Sequence, residues 1–352
     1  MKGIILHGGH GTRLRPLTHT GPKQLLPIAN QPMSQYCVET LADAGITEIA
    51  FIIGGIGSNK VKEYYGNGEK FGLKFTYIEQ DLPRGIAHAI SLCEDFVNDE
   101  KFVVFLGDNI IQRKINDYMQ DFEKSNAFAS LLLCEVNNPT QFGIAEIENN
   151  KIIKITEKPK NPPTNLAVTG IYFLTPYIFE IIKKLKPSWR NELEIADALQ
   201  ILVEENKKII YGIITDFWKD TGTPNDIIEA NRIILENLPK SFQGEKQEDV
   251  FLKGKIIVKQ GTNIKNGVKI SGPVIIGENC VIDENTVIDE NTSIGNNVNL
   301  SGCNISNSII MENCTIKGQL TIKNSIIASN SIIVKDESEK KFLLGEGTQI
   351  SL

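Results

Sequence analysis

Between residues 251 and 335 the chain keeps an aliphatic side chain at every sixth position. Leu252, Val258, Ile264, Ile270, Ile276, Ile282, Ile288, Ile294 and Leu300 hold this register without a break. Ile310, Ile316 and Ile322 resume it after a step of ten. A period of six is neither the 3.6 of a helix nor the simple alternation of a strand. It is the hexapeptide pattern of a parallel β-helix, whose rungs stack aliphatic side chains inward. Small or β-branched residues follow four positions later, as at Val268, Cys280, Thr286, Val298 and Cys314. Asparagine is frequent here and suits the corners, because it tolerates left-handed backbone angles. The irregular stretch 301–309 is expected to be a lengthened corner loop.

The first 237 residues carry a different pattern. Apolar β-type runs at 3–6, 48–53, 75–78, 102–106 and 128–134 alternate with helical spacing at 33–44, 87–96 and 115–123. Such alternation predicts a mostly parallel sheet covered on both faces. Residues 144–147 and 152–155, joined by a polar turn, predict an antiparallel hairpin added to it. Residues 224–237 predict a helix with Pro224 in its first turn. The polar stretch 238–250, with Pro239 and Gly244, is expected to be a linker. The expected organisation is therefore an α/β domain over 1–237, a linker over 238–250, a β-helix over 251–335 and a tail over 336–352. A length of 352 residues agrees with about two domains.

Composition narrows the function classes. With 41% hydrophobic and 23% charged residues the chain is not built for disorder. A net charge of -6 opposes general nucleic-acid binding. No apolar run approaches the roughly 18 residues of a membrane span, and the N-terminal run is too short for a signal sequence. The six cysteines lack C-x-x-C spacing, which points to reduced thiols and a cytoplasmic location.

The chemistry concentrates just after the first strand. Gly8-Gly9-His10-Gly11-Thr12-Arg13-Leu14-Arg15-Pro16 leads into Gly21-Pro22-Lys23-Gln24-Leu25-Leu26-Pro27. Glycines let backbone N–H groups approach a phosphate closely, and Arg13 and Lys23 add positive charge for a triphosphate. The loop is neither a Walker A sequence nor G-x-G-x-x-G. Asp108 follows the run 102–106, at the strand end where open α/β sheets bind ligands. A carboxylate there suits Mg²⁺, which prefers oxygen ligands and phosphates.

The glycine-rich stretch resembles the signature of the sugar-1-phosphate nucleotidylyltransferases. Residues 22–27 are similar to the glucose-1-phosphate thymidylyltransferases among them, and the hexapeptide segment resembles their long form. The resemblance implies a Rossmann-like, mostly parallel sheet domain followed by a left-handed parallel β-helix. It implies a nucleotide site of Leu6, Gly8, Gly9, Gly11, Thr12, Arg13, Lys23, Gln24, Gln80, Gly85 and Asp108. It implies a sugar-phosphate site of Gly143, Glu157, Lys158, Val168, Gly170 and Tyr172, and a Mg²⁺ pair of Asp108 and Asp220. Gly143 and Gly170 are expected to let a sugar ring pack on backbone. Glu192 is a further candidate sugar contact, and Asp197 is given no role. A Gln amide offers both donor and acceptor, which suits the carbonyl and imide N–H of a pyrimidine. His7 stands where the family usually has Ala, and His88 where it often has Gln; both are read as tolerated variation.

The implied reaction is in-line attack by glucose 1-phosphate on the α-phosphorus of dTTP. The nucleophile is already an anion, so catalysis is positioning and charge neutralisation. Arg13, Lys23 and Lys158 are the expected catalytic cations. UTP in place of dTTP, or another hexose 1-phosphate, keeps the same chemistry. Acetyl transfer by the β-helix is a competing reading, although all four histidines (His7, His10, His19 and His88) precede it. A non-catalytic regulator would be expected to lose the Arg, Lys or Asp positions, which are present. The flat sides of such a β-helix are expected to join copies into a homo-oligomer.

Overall fold

The computed structural model describes residues 1–9 and 11–335, and its contacts divide the chain into two units. The expected tail, 336–352, lies outside the described residues.

The first unit comprises Met1–Gly11, Thr20–Leu25 and Met33–Asp220. Its core is a nine-stranded sheet. Lys2–Leu6 lies at the centre, paired in parallel with Glu48–Ile53 on one side and Phe102–Leu106 on the other. Lys74–Glu79 extends the sheet in parallel beyond Glu48–Ile53. Leu166–Leu174 runs antiparallel to Phe102–Leu106, and Ala129–Glu135 and Gly143–Glu148 pair antiparallel to it in turn. Ile209–Ile214 adds in parallel to Ala129–Glu135, and Lys151–Glu157 closes the predicted hairpin. Leu166–Leu174 and Lys151–Glu157 run against the other strands, so the sheet is mostly parallel as the sequence predicts. Successive side chains of the central strands serve opposite faces. Ile4, Val104 and Phe102 enter one apolar cluster, and Ile5, Phe51, Val103 and Phe105 the other. Burial on both faces explains their unbroken apolar runs. The helix expected over 87–96 is two short ones, Ile86–Ser91 and Glu94–Val97.

The second unit comprises Thr12–His19, Leu26–Pro32 and the chain from Thr221 onward. Pro224–Asn237 is a helix opened by a capping box between Thr223 and Asp226. The remainder is a stack of parallel strands in three sheets of six, six and five. Ile264 pairs with Ile282 and Ile282 with Leu300, so one coil takes three hexads. This is the arrangement expected of a left-handed β-helix. The hexad side chains from Ile264 to Ile294 are fully buried. Asn279, Asn285, Asn291 and Asn297 occupy the corners at φ of 55, 59, 63 and 55°.

Two features differ from the sequence reading. The irregular stretch is shortened, not lengthened. Ile305, only 1% exposed, faces inward midway between Leu300 and Ile310. The ten-residue step is thus two rungs of five, with corners at Gly302 and Asn307, both at positive φ. The stretch expected as a linker already carries strands. Ser241–Phe242 pairs with Ile257 and Val258, and Glu245–Lys246 with Asn263 and Ile264. A first coil needs only one partner, so polar residues serve there. Among the described residues no helix is long and apolar enough to cross a membrane.

Candidate active site

Strand Phe102–Leu106 delivers Asp108 to the carboxyl end of the sheet through Gly107. A Cβ on Gly107 would stand 2.8 Å from the Leu6 carbonyl oxygen, so glycine permits this close approach. A two-stranded ribbon then sets Asn109 opposite Asp220. This pairing is how two carboxylates far apart in sequence come together. Asn109 Nδ2 donates to Asp108 Oδ1 at 3.1 Å, and its Oδ1 accepts from Trp218 Nε1 at 2.8 Å. Lys23 Nζ forms an ion pair with Asp108. Burial pushes the Asp108 carboxyl up, but the Lys23 charge and the bonds from Lys23 and Asn109 outweigh it and hold it below its ordinary value. The Tyr172 phenol is pushed up by burial and by the charges of Glu157, Asp108 and Asp220, which surround it.

The other wall comes from the hairpin. Glu157 pairs across it with Gly143. A Cβ on Gly143 would lie 3.3 Å from Glu157 Oε2, so glycine keeps this floor open. Lys158 holds a left-handed backbone at φ 40°, a conformation that costs a non-glycine residue about 1–3 kcal/mol and clusters at functional sites. Its Nζ lies 3.3 Å from Glu157 Oε1. Burial raises the Glu157 carboxyl above its ordinary value; Glu194 adds to this, against Lys158 and Arg190.

Lys23, Asp108 and Asp220 line the same cleft as Gly143, Glu157, Lys158, Val168, Gly170 and Tyr172. Arg190, which the sequence reading did not single out, gathers the nearby acids. It lies 3.4 Å from Glu157 Oε1, 3.4 Å from Glu194 Oε1 and 2.9 Å from Glu192 Oε2. Its signal in the sequence is an arginine two residues before the acidic pair Glu192 and Glu194. Gly170 has a packing reason as well as its place in the cleft. A Cβ there would stand 2.7 Å from Leu106 Cγ and Cδ1, so the packing of Leu106 by itself favours glycine.

A second group of residues collects around Gly8, just past Leu6. Gln24 is 1% exposed, and its Nε2 donates to the Gly8 carbonyl at 3.1 Å. Gln24 Oε1 is buried with no hydrogen-bond partner. A Cβ on Gly8 would lie 3.2 Å from Gln80 Oε1, so both amides face this backbone. His88 Nδ1 lies 2.9 Å from Gln80 Nε2, so His88 orients the amide. Gly85, at φ 102°, meets the Leu193 backbone where a Cβ would clash at 2.4 Å. His7 sits edge-on to Phe51 and Tyr65. Burial lowers its imidazole to about 3 against the charge of Asp108, so the ring is neutral. Gly9 and Gly11 take positive φ, as a tight loop requires. Thr12 and Arg13 belong to the second unit, where the Arg13 guanidinium rests on Gly222; a Cβ there would stand 3.0 Å from Nη2.

Lysines and carboxylates converging at the carboxyl end of a mostly parallel sheet, beside a glycine loop and buried amides, define a nucleotide-handling transferase. Residues 2–237 match the nucleotidyl transferase family, and the chain belongs to it. Residues 270–351 match the GMPPB C-terminal domain. The chain is 46% identical to the low-salt glycan biosynthesis nucleotidyltransferase Agl11 of Haloferax volcanii, over 73% of this chain and 72% of that protein. It is 41% identical to a glucose-1-phosphate thymidylyltransferase of Streptomyces antibioticus, over 75% and 74%. A crystal structure described as a glucose-1-phosphate thymidylyltransferase of Bacillus anthracis, in complex with a sucrose, superposes with a TM-score of 0.64 at 42% identity, covering 69% of this chain and 98% of that one. The protein is thus a sugar-1-phosphate nucleotidylyltransferase.

Proposed function

We propose that the protein transfers a thymidylyl group from dTTP to glucose 1-phosphate, giving dTDP-glucose and pyrophosphate. The observation that carries the base choice is Gln24. Its Oε1 is a buried acceptor without a partner, held beside Gly8 by the bond that its Nε2 makes. An unmet buried acceptor is worth about 1–3 kcal/mol, and a pyrimidine imide N–H meets it. Gln80, fixed by His88, offers the second amide.

The phosphate oxygen of the sugar phosphate attacks the α-phosphorus of dTTP, and the bond to pyrophosphate breaks. Lys158 and Arg190 hold the incoming phosphate, with Glu157 accepting from sugar hydroxyls. Lys23 bears on the α-phosphate, and Arg13 receives the leaving pyrophosphate. Asp108 and Asp220, two hard oxygen donors lining one cleft, would hold Mg²⁺. When bound, that ion neutralises phosphate charge.

The test is a pyrophosphate-release screen of the four deoxynucleoside triphosphates and UTP against several hexose 1-phosphates. The highest kcat/KM is expected with dTTP and glucose 1-phosphate. UTP differs by one methyl, which is worth only about 1–3 kcal/mol of discrimination. A preference for a purine nucleotide overturns the role of Gln24; a preference for UTP overturns the thymidylyl assignment.

A further inference from the structure

The second unit contains both the Arg13 loop and the β-helix, joined by one buried polar junction. Helix Pro224–Asn237 buries five aliphatic side chains and a single polar one, Asn231, which is 0% exposed. Its Oδ1 accepts from the Ala29 backbone N–H at 2.8 Å and from Ser293 Oγ at 2.7 Å. Its Nδ2 donates to the Asn291 carbonyl at 3.1 Å. Asn30 Nδ2 adds a bond to the Ile294 carbonyl at 2.6 Å.

The β-helix departs from its own pattern to meet this amide. Down one outward column, Ile257 pairs with Ile275, Ile275 with Ser293 and Ser293 with Ile309. Apart from Ser241 in the first coil, Ser293 is the polar member of that column, set between Ile275 and Ile309, and it stands where Asn231 arrives. Apolar burial alone would let the helix slide over an isoleucine column. A satisfied buried polar pair fixes one register, since any slip leaves its donors and acceptors unmet.

The helix carries that register to the other end. Asn231 lies eight residues after the Thr223 cap, about 12 Å at 1.5 Å per residue. Gly222 precedes the cap, and its bare Cα carries the Arg13 guanidinium. We infer that Asn231 is a positioning residue for Arg13, so that the β-helix sets the geometry of the loop that receives pyrophosphate. The inference rests on the pyrophosphate role given to Arg13 above.

The experiment is pyrophosphorolysis by the full chain, with the nucleotide sugar that the forward screen identifies. Asn231→Ala, Ser293→Ala, the double variant and Arg13→Ala are compared. A misplacement of about 1 Å is worth up to about 100-fold. The KM for pyrophosphate is therefore expected to rise about tenfold in Asn231→Ala and less in Ser293→Ala. The KM for the nucleotide sugar stays unchanged, and the double variant goes no further than Asn231→Ala. Should Asn231→Ala not fold, Ser293→Ala deletes only a hydroxyl and carries the test. A raised pyrophosphate KM in Arg13→Ala, with wild-type values in the Ser293 and Asn231 variants, overturns the coupling. An equal rise in both KM values also overturns it, as the mark of general loosening. An unchanged pyrophosphate KM in Arg13→Ala overturns the role of Arg13, and the inference with it.

Discussion

Gly170→Ala separates two reasons for a glycine in the cleft. The added Cβ would stand 2.7 Å from Leu106 Cγ and Cδ1 and 2.9 Å from Leu106 Cβ. Carbon atoms in contact prefer about 3.5–4.0 Å, so Leu106 must retreat by roughly 1 Å. Such overpacking costs about 1–3 kcal/mol. At about 2–4 °C per kcal/mol, the middle of that range lowers the melting temperature by roughly 4–8 °C. Leu106→Ala removes the obstacle and leaves a cavity of its own. The cycle of wild type, both single variants and the double variant measures the coupling, which is expected to be favourable by about 1 kcal/mol or more. Thermal melting and the KM for the sugar phosphate are read on all four proteins. The double variant is expected to recover sugar-phosphate KM relative to Gly170→Ala. A wild-type melting temperature in Gly170→Ala together with lost sugar-phosphate binding refutes the packing argument and restores a ligand contact at this position.

Asp108→Asn is expected to lower Mg²⁺-dependent turnover by at least about 10²–10³-fold; near-normal turnover across a Mg²⁺ titration would remove Asp108 from the metal pair. Glu157→Gln is expected to flatten the acid side of the stability profile. Burial raises this carboxyl, so the folded state binds its proton more tightly and stability falls as pH rises from the ordinary glutamate value through the raised one. The variant loses that decline and gains stability at neutral pH while its sugar-phosphate KM rises, and parallel melting curves from pH 4 to 8 would count against the raised carboxyl. Ile305→Ala is expected to cost about 2–5 kcal/mol, as an inward rung does; a surface-like loss under about 0.5 kcal/mol in urea unfolding would mean that the five-residue step does not point Ile305 inward.

How much of this was legible in the sequence depended on whether the signal was local. The hexad register repeats, so one irregular corner does not hide it, and Ile264 to Ile294 are legible in the sequence. Ile305 is hidden in the sequence because a shortened coil breaks the period of six twice in succession. Strand Leu166–Leu174 is an apolar run interrupted by one threonine and one glycine, a strand signal that its site residues overshadow in the sequence. The meeting of Asp108 with Asp220 rests on a ribbon between Asn109–Ile111 and Trp218–Asp220, and no local spacing encodes a partner so distant. Arg190 has a local signal in Glu192 and Glu194, but its contact with Glu157 exists only once the hairpin and its loop have folded. The packing reason for Gly170 is unreadable in the sequence because it lies in Leu106, on another strand.

On the proposed function, the paired cations of the cleft are how an acidic chain would handle phosphates. Leaving a buried carboxylate without its partner costs about 3–5 kcal/mol, so Asp108 in this setting requires Lys23. Glu157 is likewise hemmed by Lys158 and Arg190, though there burial still wins and the carboxyl stays raised. Each cation is therefore held at a fixed place by an acid before any substrate arrives, and its side-chain entropy is already lost. An incoming phosphate adds a second anion to a cation that need not be ordered again. The net charge of -6 describes the whole chain, while on the proposed function binding would be decided by a few cations whose positions the acids fix. On this argument the carboxylates beside Lys23 and Lys158 assist phosphate binding by preorganisation more than they oppose it by repulsion.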